Sequence, residues 1–121
     1  GMGPTVATAR VLDDMGMSFK EIELVELNEA FAAQVIANQR AFASKSYASE
    51  RLSRSGEIGE LSDTILNVNG GAIALGHPVG ATGARLVLTA ALEMARRNLH
   101  RGLATLCIGG GQGAAFVLER Q

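Results

Sequence analysis

A single cysteine is all that this 121-residue chain contains. Cys107 therefore has no internal disulfide partner, and a reducing, cytoplasmic compartment is the expected setting. An excess of one charge is missing too: Lys and Arg number 11 against 12 Asp and Glu, for a formal net charge of -1. No strong field is then available to hold nucleic acid or an anionic membrane by charge alone. No run approaches the roughly 18 apolar residues that a membrane-crossing helix needs. The opening Gly1-Met2-Gly3-Pro4 has no basic segment followed by an apolar stretch, so no secretory signal is expected here. The closing Glu119-Arg120-Gln121 matches no sorting tail, and no internal repeat is visible.

What is present is apolar enough to fold. Hydrophobic residues make up 47% of the chain, which argues against disorder, and its length fits one domain. Pro4 suits the first turn of a helix, Val6, Ala9, Leu12 and Met15 recur at helical spacing, and Gly16 is a natural stop. Ile22 to Leu27 reads as a short buried strand. From Glu29 the period changes, and Phe31, Val35 and Phe42 predict one helical face, supported by Ala30, Ala33 and Ala37. Ser44 to Thr64 reads as a surface excursion rich in Ser, Glu and Arg. Ile65 to Val68 predicts a further short strand. Gly83 to Arg97 predicts a helix apolar on most sides, hence buried. Leu103 to Ile108 and Ala114 to Leu118 predict two strands joined through glycines in a hairpin. The sum is an α/β arrangement, a sheet with a helix packed in its interior or on its face.

Four segments carry groups suited to chemistry. Asn28-Glu29-Ala30-Phe31 stands where strand gives way to helix. Asn28 there reads plainly as a helix cap, and Glu29 as a first-turn acid complementing the helix dipole. Asn69-Gly70-Gly71-Ala72-Ile73-Ala74-Leu75-Gly76-His77-Pro78 is dense in glycine, which lets backbone approach a ligand or another strand closely. His77 is either a turn residue or a proton carrier working near neutral pH. His100, at a helix end, reads as structural. Cys107 closes a strand onto glycines. A small buried hydrophobe is one reading; the other is an acid or base tuned from an unperturbed pKa of about 8.5. Gly109-Gly110-Gly111-Gln112-Gly113 is followed by neither the Lys-Ser/Thr of a P-loop nor a helix. Its bare N–H groups could point at a developing oxyanion instead.

Asn28-Glu29-Ala30-Phe31-Ala32, Gly70 to Pro78, and Cys107-Ile108-Gly109-Gly110-Gly111 resemble, in order and approximate spacing, the three signature blocks of the thiolases. The resemblance covers essentially the whole chain and about the last third of a full-length enzyme. It implies a thiolase-like fold, specifically its C-terminal half, with a mixed β-sheet and a buried helix packed against it. It also implies acyl transfer between coenzyme A thioesters, with no covalently bound cofactor and no metal. Such chemistry needs an activated thiol, a base for the α-proton and donors for two oxyanions. By resemblance, His77 would activate an acyl-carrying cysteine and donate toward the acetyl-CoA thioester oxygen. Cys107 would move a proton at the α-carbon or the leaving sulfur. Asn28 would hold a water that stabilises the enolate with His77, and the Gly109 N–H would join the second oxyanion hole.

The family uses two cysteines and this chain has one, matching the acid/base block. Residues 1–121 are thus expected to be a C-terminal domain fragment, inactive alone, whose partner is an N-terminal half bearing the nucleophile. The full-length form is expected to be a homo-oligomer. The length of the excursion at 44–64 is similar to that of degradative 3-ketoacyl-CoA thiolases of fatty-acid β-oxidation, while Asn28 stands where those enzymes often carry His. Acetoacetyl-CoA thiolase is the second expectation on substrate. A condensing enzyme of the ketoacyl synthase type would want a second histidine in place of Asn28 and Cys107. A non-catalytic binding or dimer-forming module would show decay of Asn28, His77 and Cys107, all of which are present.

Overall fold

Helix α1, Gly3–Met15, forms at the expected place and ends at Gly16 with φ 61° in the computed structural model, which describes residues 1–121. Its inward face is not the one the apolar spacing suggests. Thr5, Thr8, Ala9 and Leu12 are buried, while Val6 and Met15 are exposed. The reason is polar: the Thr5 N–H and hydroxyl both donate to Asn38 Oδ1, at 3.1 and 2.6 Å, and turn that face toward the next long helix.

After one 3-10 turn at Phe19–Glu21, capped reciprocally by Ser18 and Glu21, strand β1 spans Leu24–Leu27 with every residue buried. Alternation decides its two faces. Val25 and Leu27 join Leu12, Phe19, Phe42 and Leu103 in the main core, whereas Leu24 packs with Ala90 and Met94. Both sides of the strand are therefore covered.

Helix α2, Ala32–Phe42, starts later than the periodicity suggests. Phe31 is the extended residue ahead of it, 74% exposed, and Gln34, Asn38, Ala41 and Phe42 form the buried face. Neither Asn28 nor Glu29 is in or next to this helix, so the capping and dipole roles fall away. The excursion is more ordered than its composition implies: α3, Lys45–Arg51, is capped by the Ser44 hydroxyl, which accepts from the Tyr47 N–H at 3.1 Å. Ile58 and Leu61 then return to the core.

No strand forms at 65–68. Leu66 makes a single parallel bridge with Val25. Asn67 then takes a left-handed φ of 46° and continues the ladder with its side chain. Its Oδ1 accepts from the Leu27 N–H and its Nδ2 donates to the Leu27 carbonyl, both at 2.9 Å. A side-chain amide stands in for a peptide group.

Helix α4, Ala72–Leu75, is one turn long, and α5 spans Thr82–Arg97. Strands β2, Arg101–Gly109, and β3, Gln112–Glu119, complete a sheet in the order β1-β2-β3, with β1 parallel to β2 and β2 antiparallel to β3. Gly110 and Gly111, with φ 58° and 84°, make the two-residue turn between β2 and β3, where only glycine takes positive φ twice without strain. Helix α5 lies in the crossover between the parallel strands. It is not buried all round: Leu86, Ala90 and Met94 face the sheet, but Leu88 and Leu92 are exposed.

Glu26 shares the α5-facing side of β1 with Leu24. It is 1% exposed, and neither carboxylate oxygen has a hydrogen-bond partner. Burial pushes its pKa up to about 7 against the pull of Arg85, with Glu29 and Glu93 adding to the rise. The folded carboxyl keeps its proton up to about pH 7, whereas an ordinary one ionises near 4.5. Stability is therefore lost as pH rises from 4.5 to 7, and is level above that. Glu26→Gln removes this loss. Denaturant titrations at pH 4.5 and pH 8 should show the variant gaining on the parent by on the order of 2–3 kcal/mol across the interval. A gap that stays constant with pH contradicts the assignment.

Candidate active site

Parallel strands end together, and the reactive groups leave from that shared end. Leu27 pairs with Thr105, and the N–H of Asn28 donates to the Thr105 carbonyl at 3.0 Å. Asn28 thus steps off β1 beside the stretch of β2 that carries Cys107. Alternation gives Asn28 the α5-facing side, and gives Cys107 the side of Leu103 and Thr105. The two side chains leave opposite faces of the sheet. Because a crossover helix runs back along the strands it connects, the N-terminus of α5 lies at this same edge, and His77 precedes it by five residues. The structure therefore brings His77, Cys107, Asn28 and Gly109 to one end of the sheet.

Each group is presented differently. Asn28 is 1% exposed, yet neither its Oδ1 nor its Nδ2 has a partner in the chain. Cys107 is half-buried and free. The β2–β3 register shifts between Cys107 and Gly109, and Gly109, with φ 138°, is the exposed last residue of β2, paired with Gln112. His77 is exposed, and its Nδ1 lies 2.6 Å from the Thr82 hydroxyl.

The loop bearing His77 is clamped from two sides, which the sequence pattern does not reveal. In front, Glu29 Oε1 accepts from Asn67 Nδ2 and Oε2 accepts from the Ile73 N–H, both at 3.0 Å. The carboxylate lies so close to Gly71 that a Cβ there would fall 2.3 Å from Glu29 Cδ. Behind, Asn69 Nδ2 donates to Glu93 Oε2 at 3.0 Å. Bonds from Arg96, Asn69 and Arg97 hold the Glu93 carboxyl down at about 2, so it stays charged. The motif Asn28-Glu29 thus contributes one residue to the reactive edge and one to the clamp. His100 stays remote, its N–H donating to Glu23 Oε1 at 2.8 Å.

His77 and Gly109 are exposed, Cys107 is half-buried and Asn28 is buried. Grooves of about 500 Å³ run between α1 and the start of β3, and beside Phe19 and Ile58, but His77, Asn28 and Cys107 line neither. No group of three or more His, Cys, Asp or Glu side chains could hold a metal ion, and no helix is long and apolar enough to cross a membrane.

A family model described as "Thiolase, C-terminal domain" matches residues 1–120, and the chain belongs to the thiolase family. It is 48% identical over 118 residues to proteins named 3-ketoacyl-CoA thiolase from Shewanella loihica, Shewanella halifaxensis and Shewanella frigidimarina. The match takes in 98% of this chain and 27% of the length of each relative. The chain thus spans about a quarter of the curated relatives it matches.

Proposed function

We propose that residues 1–121 form the C-terminal catalytic half of a 3-ketoacyl-CoA thiolase, working with an N-terminal half that carries the acyl-accepting cysteine. Support comes from the family match and from the positions of Asn28 just after β1, Cys107 near the end of β2 and His77 beside the first residue of α5. In the degradative direction, His77 takes the proton of the nucleophilic thiol. The thiolate then attacks the 3-keto carbon. The bond between C2 and C3 breaks, its electron pair passing to C2 to form the acetyl-CoA enolate. Cys107 delivers a proton to C2, while His77 and a water held by Asn28 stabilise the enolate oxygen. The thiol of free coenzyme A gives up its proton to Cys107 and attacks the acyl-enzyme, and the Gly109 N–H supports the oxyanion. Its collapse releases acyl-CoA and the enzyme thiolate, which takes its proton back from His77. Each oxyanion donor of this kind supports about 10²–10³ in rate.

The 3-ketoacyl-CoA substrate is favoured by the names of the relatives. Coenzyme A thioesters are then both substrates and products, in the lipid metabolism of fatty-acid β-oxidation, with a cytoplasmic setting and a homo-oligomeric full-length enzyme. Acetoacetyl-CoA is the shortest substrate of this class. The purified 121-residue chain, given acetoacetyl-CoA and coenzyme A, should show no loss of 3-ketoacyl-CoA absorbance, because the nucleophile lies outside it. Turnover by this chain alone would overturn the division of labour between halves.

A further inference from the structure

Thr82 is the first residue of α5 and is 0% exposed. A buried residue at a helix start would serve for packing alone, but its hydroxyl makes two contacts that packing does not need. Oγ1 lies 2.6 Å from His77 Nδ1 and 3.1 Å from the Pro78 carbonyl. That carbonyl already accepts from the Ala81 and Thr82 N–H groups, at 2.8 and 2.9 Å. A hydroxyl carries one rotatable proton and can also accept. It can give that proton to a bare Nδ1, or turn it to Pro78 and accept from a protonated Nδ1. Either way Nδ1 is occupied, and Nε2 is the ring nitrogen left for chemistry. The backbone turn closed by Pro78 holds hydroxyl and ring in place.

We propose that Thr82 is a positioning residue for His77: its hydroxyl donates to the Pro78 carbonyl, accepts from Nδ1–H, and so fixes the imidazole with Nε2 left to take and return the proton. This rests on the thiolase reading above, in which His77 first takes the thiol proton and later donates to the enolate oxygen. Both tasks fall on Nε2, while Nδ1 keeps its hydrogen in the neutral ring that takes the proton and in the charged ring that donates it, so an acceptor held at Nδ1 suits both.

Two variants separate this role from packing. Thr82→Val keeps the shape and loses the hydroxyl; Thr82→Ser keeps the hydroxyl and loses a methyl. In the intact enzyme, Thr82→Val should lower kcat about 10- to 100-fold with KM nearly unchanged, as expected when a reacting group is misplaced. Thr82→Ser should stay within a few-fold of the parent. Packing alone predicts the reverse order, and that order would overturn the proposal, as would parental kcat in Thr82→Val. A second readout needs no turnover. In the 121-residue chain carrying His100→Gln, which leaves His77 as its one histidine, the 15N resonance of His77 Nδ1 should move in Thr82→Val and hold in Thr82→Ser. An unmoved signal in the valine variant refutes the hydroxyl contact. An enzyme without thiolase turnover would refute the functional reading instead, and the resonance would still decide the contact.

Discussion

His77→Ala and Cys107→Ala, each made in the intact enzyme, should lower turnover by about 10²–10⁴-fold, the usual worth of a positioned proton-transfer group. His77 is exposed and held through Nδ1 by Thr82 alone, and Cys107 lies outside the apolar core. Neither truncation opens a cavity in that core, so thermal unfolding should stay close to the parent. The two variants should fail at different steps. Without His77 the acyl-enzyme forms slowly, because the thiol is not activated. Without Cys107 acylation by an activated ester whose leaving group needs no proton persists, while exchange of solvent deuterium into the methyl group of acetyl-CoA is lost. Parental turnover in either variant removes that residue from the mechanism.

The second large effect concerns the clamp. Gly71 has an extended φ of -131°, which any residue adopts, so its importance is space and not backbone freedom. A methyl group at Gly71→Ala would displace the Glu29 carboxylate and break its bonds to Asn67 and the Ile73 N–H. Hydrogen bonds to a charged group are each worth about 1.5–3 kcal/mol, so Gly71→Ala and Glu29→Ala should each destabilise on that scale. The telling quantity is their combination. With Glu29 already truncated, the added methyl meets no carboxylate, so the double variant should cost hardly more than one single change. Additive losses in denaturant unfolding would show that Gly71 and Glu29 act separately. Turnover should fall with each, because the same clamp holds the segment leading to His77.

Much of the architecture is readable in the residues. The helix ending at Gly16, the β2–β3 hairpin with its glycine turn and the long helix before Asn98 follow from local spacing and turn chemistry. Three of the departures share one cause, which is that polar side chains made distant contacts. Thr5 is buried because Asn38 is its partner, 33 residues away. Residues 65–68 form no strand because the Asn67 side chain occupies the backbone groups of Leu27. Glu29 reads as a helix acid until the structure sets its carboxylate against Gly71. Leu88 and Leu92 read as core because periodicity reports hydrophobicity and not what covers it.

The amino-acid sequence by itself determined the α/β class, the thiolase resemblance and the identity of the four candidate groups, because each depends on residue type, order and local spacing. Only the tertiary structure decided that these groups share one edge, that Glu29 and Asn67 brace the histidine loop, and that Thr82 stands behind His77. Those facts depend on which strand ends coincide in space and which polar atoms meet across dozens of residues, and short-range patterns carry no record of either.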